Sequence, residues 1–426
     1  MKLTIHRGTH EIGGTCIELQ SKSSRILIDF GMPLVDENRK QFNSSSITNK
    51  TEEELIKTGI LHPIEGIYKH ENPKLDAILL SHPHQDHYGL LSYINPNIPI
   101  YLSKGCKKLI AISHFFGQTK CDLKNTKIVK PWKEIKTGDF TITPYLADHS
   151  GFDALSFLIE AEGKKILYSG DFRGHGRKAN LYEDIIKNPP KNVDYLILEG
   201  TMMKREKGKF TTEQDIEDEL TKRFVENKMV FIACSSQNID RIVSIYKACK
   251  NSGRIFLIDP YTANILDQLK DIAPNIPQYN WGKNIRIFFS PNTYTKKMAK
   301  NSSLFKYKSA KMTYDEMIES KTKLVIKDNF LTRKIFSKKK EIAGSTLIYS
   351  MWEGYLPDVK PFWEKHNIPI IKIHTSGHAY VEELIKYVNA IEPKKIIPNH
   401  TFHPNEFSKL FKNKVIQLKD KQTISL

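Results

Sequence analysis

The sequence lacks the features that would place it in a membrane, a disulfide scaffold or a disordered tail. No run of about eighteen apolar residues occurs, so no transmembrane helix is expected. "MKLTIHRGTH" has none of the charged-then-apolar layout of a secretory leader, and the expected location is cytoplasmic. Cysteine is scarce. Cys16, Cys106, Cys121, Cys234 and Cys249 are odd in number and never fall in CxxC spacing. That argues against a disulfide framework or a thiolate zinc knuckle and for free, buried thiols. Acidic side chains are in deficit, 48 against 65 basic ones, for a formal net charge of +17. Such an excess favours a polyanionic partner, because it raises encounter rates and permits counterion release on nucleic acid.

What is present is globular. Hydrophobic residues make up 39% of 426 positions, which suits two domains or one domain with a large insertion. The N-terminal half reads as short strands ending in small or polar turns: "RILIDFG", "KLDAILLSH", "IPIYLS", "FTITPYLADHS" and "VDYLILEGT". Helical patterns such as "CKKLIAISHFFGQ" lie between some of them, which suggests sheets covered by helices. From about residue 205 the character changes. "TTEQDIEDELTKRFVENK" is a helix with acidic residues early and basic residues late, and "MVFIACSSQNIDRIVSIYKACKNSGRIFLID" follows as a βαβ-like unit. The last part returns to strand, helix and strand, again running into histidines.

Chemistry concentrates in "SHPHQDH". Three histidines and an aspartate (His82, His84, Asp86, His87) stand within six positions behind an apolar strand. Imidazole and carboxylate on one tight turn suit zinc or a similar divalent ion. One loop rarely completes such a site, and further candidates recur at other strand ends: His149 in "YLADHSG", Asp171 in "ILYSGDFRG" and His400 in "KKIIPNHTF". Alone, His149 or His400 would read equally well as a core histidine. Asp171, with two oxygens, is suited to bridge two ions.

With these residues assembled, the chain resembles the metallo-β-lactamase superfamily over nearly its whole length. "LIDFG" matches the first motif through Asp29, "HPHQDH" the second, His149 the third and Asp171 the fourth. Diiron oxidoreductases of the superfamily usually carry Glu where this chain has His84, which counts against that branch. The remainder is similar to the β-CASP group of nucleases, ribonuclease J among them: Glu199 in "LILEGT" stands at motif A, His378 in "HTSGHA" at motif B and His400 in "IPNH" at motif C. The resemblance implies an α/β fold, an αββα sandwich with an inserted β-CASP α/β cap domain. It divides the chain into a first part, residues 1–204, the insertion, 205–350, and a return segment, 351–426, with motifs B and C. His rather than Val at motif C goes with RNA-directed members. The chain stops soon after motif C, without the C-terminal domain of ribonuclease J, which leaves a homodimer possible but open.

The same resemblance implies two Zn2+ ions, with Mn2+ as a possible substitute, one held by His82, His84 and His149 and the other by Asp86, His87 and His400, with Asp171 between. The implied catalytic set is His378, Glu199, Asp29 and Asp86: His378 as general acid, Glu199 steadying its charge, Asp29 orienting a ligand. His374, Ser376 and Gly377, ahead of a helix, are candidates to bind substrate phosphate. Ser235 and Ser236, ahead of another, are candidates for a second pocket and equally good as plain caps. A basic, aromatic stretch (Lys296, Lys297, Lys300, Lys306, Tyr307 and Lys308) could track a single strand or simply be solvated. The expected activity is zinc-dependent cleavage of single-stranded RNA, with no membrane partner. A DNA-directed nuclease and a non-catalytic RNA-binding subunit stand as alternatives.

Overall fold

Short strands with apolar residues on both faces build the first part of the molecule. In Arg25–Ile28, Ile26 and Ile28 join one core cluster and Leu27 another; in Ala77–Leu79, Ala77 and Leu79 side with the first and Ile78 with the second. Successive side chains point to opposite faces, so a strand apolar throughout is covered on both. The computed structural model describes all residues except 37–39, 49, 227, 291–292, 301–304 and 339–340, together with all side chains of the rest except those of 293, 294 and 297.

Two sheets stack through the first of those clusters. One runs in the order Thr423–Ser425, Lys2–Arg7, Cys16–Gln20, Arg25–Ile28, Ala77–Leu79, Ile100–Leu102, Thr126–Ile128. The other runs Lys395–Asn399, Tyr195–Glu199, Lys164–Tyr168, Leu155–Ala161, Phe140–Leu146, Ile135–Thr137. Ile5, Ile17 and Leu79 of one meet Phe157, Ile166 and Ile197 of the other in a dry layer. The helix Lys104–Phe115 covers the outer face of the first sheet through Cys106 and Ile110. Ala179–Lys187 and Val381–Ile391 cover the outer face of the second through Tyr182, Leu384 and Tyr387. This is the αββα sandwich that the sequence led us to expect, with mixed sheets.

A third sheet is parallel throughout, in the order Ile285–Ile287, Ile255–Ile258, Leu324–Lys327, Val230–Ala233, Thr346–Tyr349, Ile370–Lys372. The βαβ unit read from the sequence is present as Val230–Ala233, the helix Ile239–Asn251 and Ile255–Ile258, with Leu324–Lys327 lying between its two strands. The helix Glu213–Arg223 opens on a capping box between Thr212 and Asp215 and closes on Lys222 and Arg223, which suits its dipole.

The chain divides into two compact units, Met1–Glu206 with Gly377–Leu426, and Lys207–Ser376. Residues 351–376, which the sequence grouped with the return segment, fall in the second unit. The reason is pairing: Ile370–Lys372 adds a parallel strand to Thr346–Tyr349. The basic, aromatic stretch is also rearranged. Tyr307 is fully buried and its hydroxyl accepts a hydrogen bond from Asn264, while Phe305 is 68% exposed. Lys306 pairs with Asp267. The side chain of Lys297 lies outside the described residues. Tyr307 is therefore a core residue and no stacking platform.

Removing the ring of Phe157, fully buried between the two sheets, should lower the stability of the first unit by about 3–5 kcal/mol. Phe305→Ala, at an exposed position, should stay within about 0.5 kcal/mol. Guanidinium unfolding followed by circular dichroism checks both.

Candidate metal centre

The turn after Ala77–Leu79 is pinned by backbone, and the pinning accounts for its sequence surroundings. Thr15 N–H donates to Asp86 O at 3.1 Å, Phe30 N–H to His87 O at 2.8 Å and Met32 N–H to Gln85 O at 3.0 Å. Gly31 comes so close that a Cβ there would lie 1.6 Å from Asp86 O. The glycine of "LIDFG" is required by that approach. Gln85–Tyr88 then makes one helical turn with Asp86 and His87 buried.

Other ligand candidates arrive at neighbouring strand ends. Asp171 follows Lys164–Tyr168, Glu199 ends Tyr195–Glu199 and His400 follows Lys395–Asn399, three strands paired in parallel, so their carboxyl ends share one side. His149 follows Phe140–Leu146 in the same sheet. The ligand atoms of His82, His84 and His149 lie within 4.8 Å of one another. So do those of Asp86, His87, Asp171 and His400, and those of Asp171, Glu199, His378 and His400. Every one of the seven residues expected to bind metal falls in at least one of these groups, and Asp171 and His400 each belong to two.

The donor set fits divalent cations on evidence internal to the site. His82 Nε2, His87 Nε2 and Asp171 Oδ2 are buried without a hydrogen-bond partner. They lie close together: His87 Nε2 is 3.1 Å and His82 Nε2 3.7 Å from Asp171 Oδ2. Buried polar atoms are normally satisfied. Three orphans of ligating type at these distances are what cation binding would satisfy.

Charge in the site follows burial and neighbours. Burial, then the surrounding imidazoles, pushes His82 and His149 well below the usual histidine range. Burial, against the pull of Asp86 and Asp171, brings His84 down to about 4. Neutral imidazole is the ligating form. At Asp86 burial works upward, but His87 and His400 outweigh it and bring the carboxyl to about 2. Burial opposes charge on His87 as well, yet Asp171, Asp29 and Asp86 together raise it well above its ordinary value. His378 is raised in the same way, burial being overcome by Glu199 and Asp171.

A second layer fixes how the candidate ligands point. Asp29, in the left-handed region at φ 58°, accepts from Ser81 N–H, Ser81 Oγ and Tyr168 OH at 2.8 Å each, and its Oδ2 lies 2.7 Å from His87 Nδ1. That contact commits Nδ1 and turns Nε2 toward Asp171. His149 Nδ1 donates to Gly377 O at 2.7 Å, and His400 Nδ1 lies 2.8 Å from Thr201 Oγ1. Gly151 leaves room for two rings, since a Cβ there would lie 2.8 Å from His82 Cδ2 and 3.1 Å from His149 Cδ2. Sequence reasoning missed Ser81, Gly151, Tyr168 and Thr201. Their only signal was adjacency to a motif, as in "LLSH", "DHSG" and "LEGT".

Glu199 sits 3.3 Å from His378 Nδ1 through Oε1, and its Oε2 accepts from Thr201 N–H at 3.0 Å. The expected phosphate residues are less convergent. Gly377 belongs to the first unit, where it orients His149; His374 and Ser376 belong to the second. His374 Nδ1 lies 3.2 Å from Arg241 Nη1, whose guanidinium is paired with Glu213. Ser236 is buried against Thr262 at 2.8 Å, Ser235 is exposed, and the cap of the following helix is Asn238.

Two family models match the chain: the beta-lactamase superfamily domain over residues 54–230, and the Zn-dependent metallo-hydrolase RNA specificity domain over residues 367–406. Among curated proteins it is similar to ribonuclease J of Sinorhizobium meliloti (22% identity, 82% of this chain, 61% of that one) and of Helicobacter pylori (24%, 94% and 56%). It thus spans little more than half the length of these two relatives. An RNase J-like protein of Methanocaldococcus jannaschii is 23% identical over 93% of this chain and 92% of its own. In fold it resembles the crystal structure of a protein of unknown function from Enterococcus faecalis V583, with a TM-score of 0.80 over 100% of this chain at 22% identity.

Asp29→Asn should leave the fold intact and weaken zinc binding by about 10–100-fold, the usual effect of losing a ligand's outer partner. Competition against a zinc-chelating dye measures it.

Proposed function

The chain belongs to the metallo-β-lactamase superfamily, carries an RNA-specificity domain and is distantly homologous to ribonuclease J, and from that premise we propose that it is a metal-dependent ribonuclease hydrolysing phosphodiester bonds of single-stranded RNA, from a 5′ end, internally or both. One observation carries the proposal: the groups His82, His84, His149 and Asp86, His87, Asp171, His400 lie side by side, with His82 Nε2 3.7 Å from Asp171 Oδ2 and the Glu199–His378 pair next to Asp171 and His400. The RNA-specificity match over residues 367–406 includes His374, His378 and His400 and favours RNA over DNA.

Two divalent cations, zinc by preference, would be held by His82, His84 and His149 and by Asp86, His87 and His400, with Asp171 shared; such ions supply Lewis acidity and make water nucleophilic near neutral pH. The chain's own groups do the rest. Asp29 holds His87 in the tautomer that leaves Nε2 as the ligating atom. Thr201 and the Gly377 carbonyl do the same for His400 and His149. His378, with Nδ1 engaged by Glu199, carries its transferable proton on Nε2 and gives it to the departing 3′ oxygen. Glu199 stabilises the charged form and so keeps that proton in place near neutrality.

His378 also belongs to a ligand group, so the test must separate acid from ligand. Purified protein should contain about two zinc ions per chain by mass spectrometry and cleave labelled single-stranded RNA, with cleavage abolished by chelator. Failure to cleave RNA in the loaded form would reject the proposal. His378→Ala should keep its metal content while kcat falls about 10²–10⁴-fold.

The pH dependence has a definite sign. His378 must be protonated to act, and its pKa is raised, so activity is lost as pH rises through that value. Glu199→Gln removes the largest raising influence and should move this alkaline limb to lower pH. An unmoved limb would remove Glu199 from this role.

A further inference from the structure

Away from the metal centre, the first unit holds a cavity of about 570 Å³, within the range of small-ligand sites. It lies where the chain returns from the ligand-bearing turn to the sheet, beside the entrances to Ile100–Leu102 and Thr126–Ile128. None of the residues in the three ligand groups lines it. Its floor is part of the core: Leu91, Ile94, Ile98 and Ile100 belong to the buried cluster, and Tyr93 and Leu123 pack against it. Such a floor does not collapse when empty, because it is fixed from beneath by close packing.

The rim is of opposite character. Lys50, Lys69, Lys120 and Lys124 are exposed and share the lining with a single acid, Asp122. Lys124 pairs with Asp122; among the described residues Lys50, Lys69 and Lys120 make no ion pair. Asn125 uses its amide N–H on Asn97 O at 2.8 Å, which leaves its oxygen to accept from a ligand. An apolar floor with an aromatic wall, hydrogen-bonding groups at the edge and three ammonium groups that make no ion pair among the described residues is complementary to a base joined to a phosphate. An acidic peptide would satisfy the lysines but would need an aromatic side chain beside its carboxylates to fill the floor, whereas every nucleotide joins a planar base to its phosphate. The rim is open to solvent, so a strand can continue beyond the bound nucleotide.

We propose that this cavity is a second RNA-binding subsite, which takes one nucleotide of a single strand with its base against Tyr93 and the apolar floor and its phosphate among Lys50, Lys69 and Lys120. The inference rests on RNA being the substrate class. The subsite holds the strand away from the reacting bond, so it governs affinity for long RNA and leaves the chemical step alone.

The test uses the full chain with the exposed lysines reversed, K50E/K69E/K120E, beside a control with equal charge change at exposed Lys136, Lys187 and Lys191. Fluorescence anisotropy with a 30-nucleotide single-stranded RNA, in chelator to prevent cleavage, should show at least tenfold weaker binding for the first variant and less than threefold for the control. The slope of log affinity against log salt should fall by about 0.7, the share of the one phosphate contact that is lost. Cleavage of a trinucleotide by the metal-loaded variant should be unchanged. Photocrosslinking of 4-thiouridine RNA should label residues 91–95 or 120–125 in the native chain and lose that label in Tyr93→Ala. Equal loss in variant and control, or crosslinks elsewhere only, would overturn the subsite, as would tight binding of free uridine monophosphate with no gain from a longer strand. If RNA binds and crosslinks there but is never cleaved, the subsite stands and the ribonuclease proposal falls.

Discussion

Asp171 is the group on which the rest of the site depends. It is 2% exposed, one of its oxygens meets no hydrogen-bond donor, and His82, His87, His378 and His400 all reach it within 4 Å. A carboxylate among imidazoles in a dry interior is stable only if something positive shares the space. Protons on the histidines offer one solution, and burial opposes it at His82, His84 and His149. Cations offer the other. His87 and His378, whose protonated forms Asp171 favours, supply part of that charge, and the clustered donors are able to hold metal ions.

Holding that arrangement takes most of the first unit. Parallel pairing brings the ends of Lys164–Tyr168, Tyr195–Glu199 and Lys395–Asn399 together. The turn bearing Asp86 and His87 is set by three backbone bonds from residues 15, 30 and 32. Asp29 and His400 both sit in left-handed backbone, at φ 58° and 53°, at a cost of about 1–2 kcal/mol each. Strain of that kind persists where the surroundings over-determine it, as they do here. The sandwich core supplies the stability that makes such local cost tolerable.

Surface charge is organised more selectively than a net +17 suggests. Lys306 is neutralised by Asp267 and Lys327 is drawn into the second unit beside Asp259. Among the described residues Lys50, Lys69 and Lys120 make no ion pair around an apolar cavity. A count of lysines along the chain treats all of these alike. What separates them is which acids the fold brings within reach, and that in turn decides where a polyanion gains from contact.

The candidate metal ligands were legible in the sequence because their chemistry is carried by residue type at strand ends, and strand ends are marked by apolar runs breaking into His or Asp. "SHPHQDH" needs no tertiary knowledge to be read as a metal turn. The apolar strand runs by themselves suggested only sheets covered by helices, and the sandwich was expected through the family resemblance that the motifs carry. Tyr168, Ser81, Thr201 and Gly151 were not legible, because hydroxyls and glycines serve many local purposes and only their distances from Asp29, His400 and the histidine rings give them a role. Tyr307 was misread as a surface ring, since a tyrosine between lysines looks exposed until the fold turns it inward. The boundary at 376 rather than 350 was likewise a matter of pairing, because the strand Ile370–Lys372 has no sequence mark saying which sheet it joins. Sequence alone thus determined which side chains are capable of the chemistry, since that is a property of the residue. Tertiary structure decided which of them meet, which proton or lone pair each has to offer, and which charges stay unpaired, since those depend on distance and burial between residues far apart in the chain.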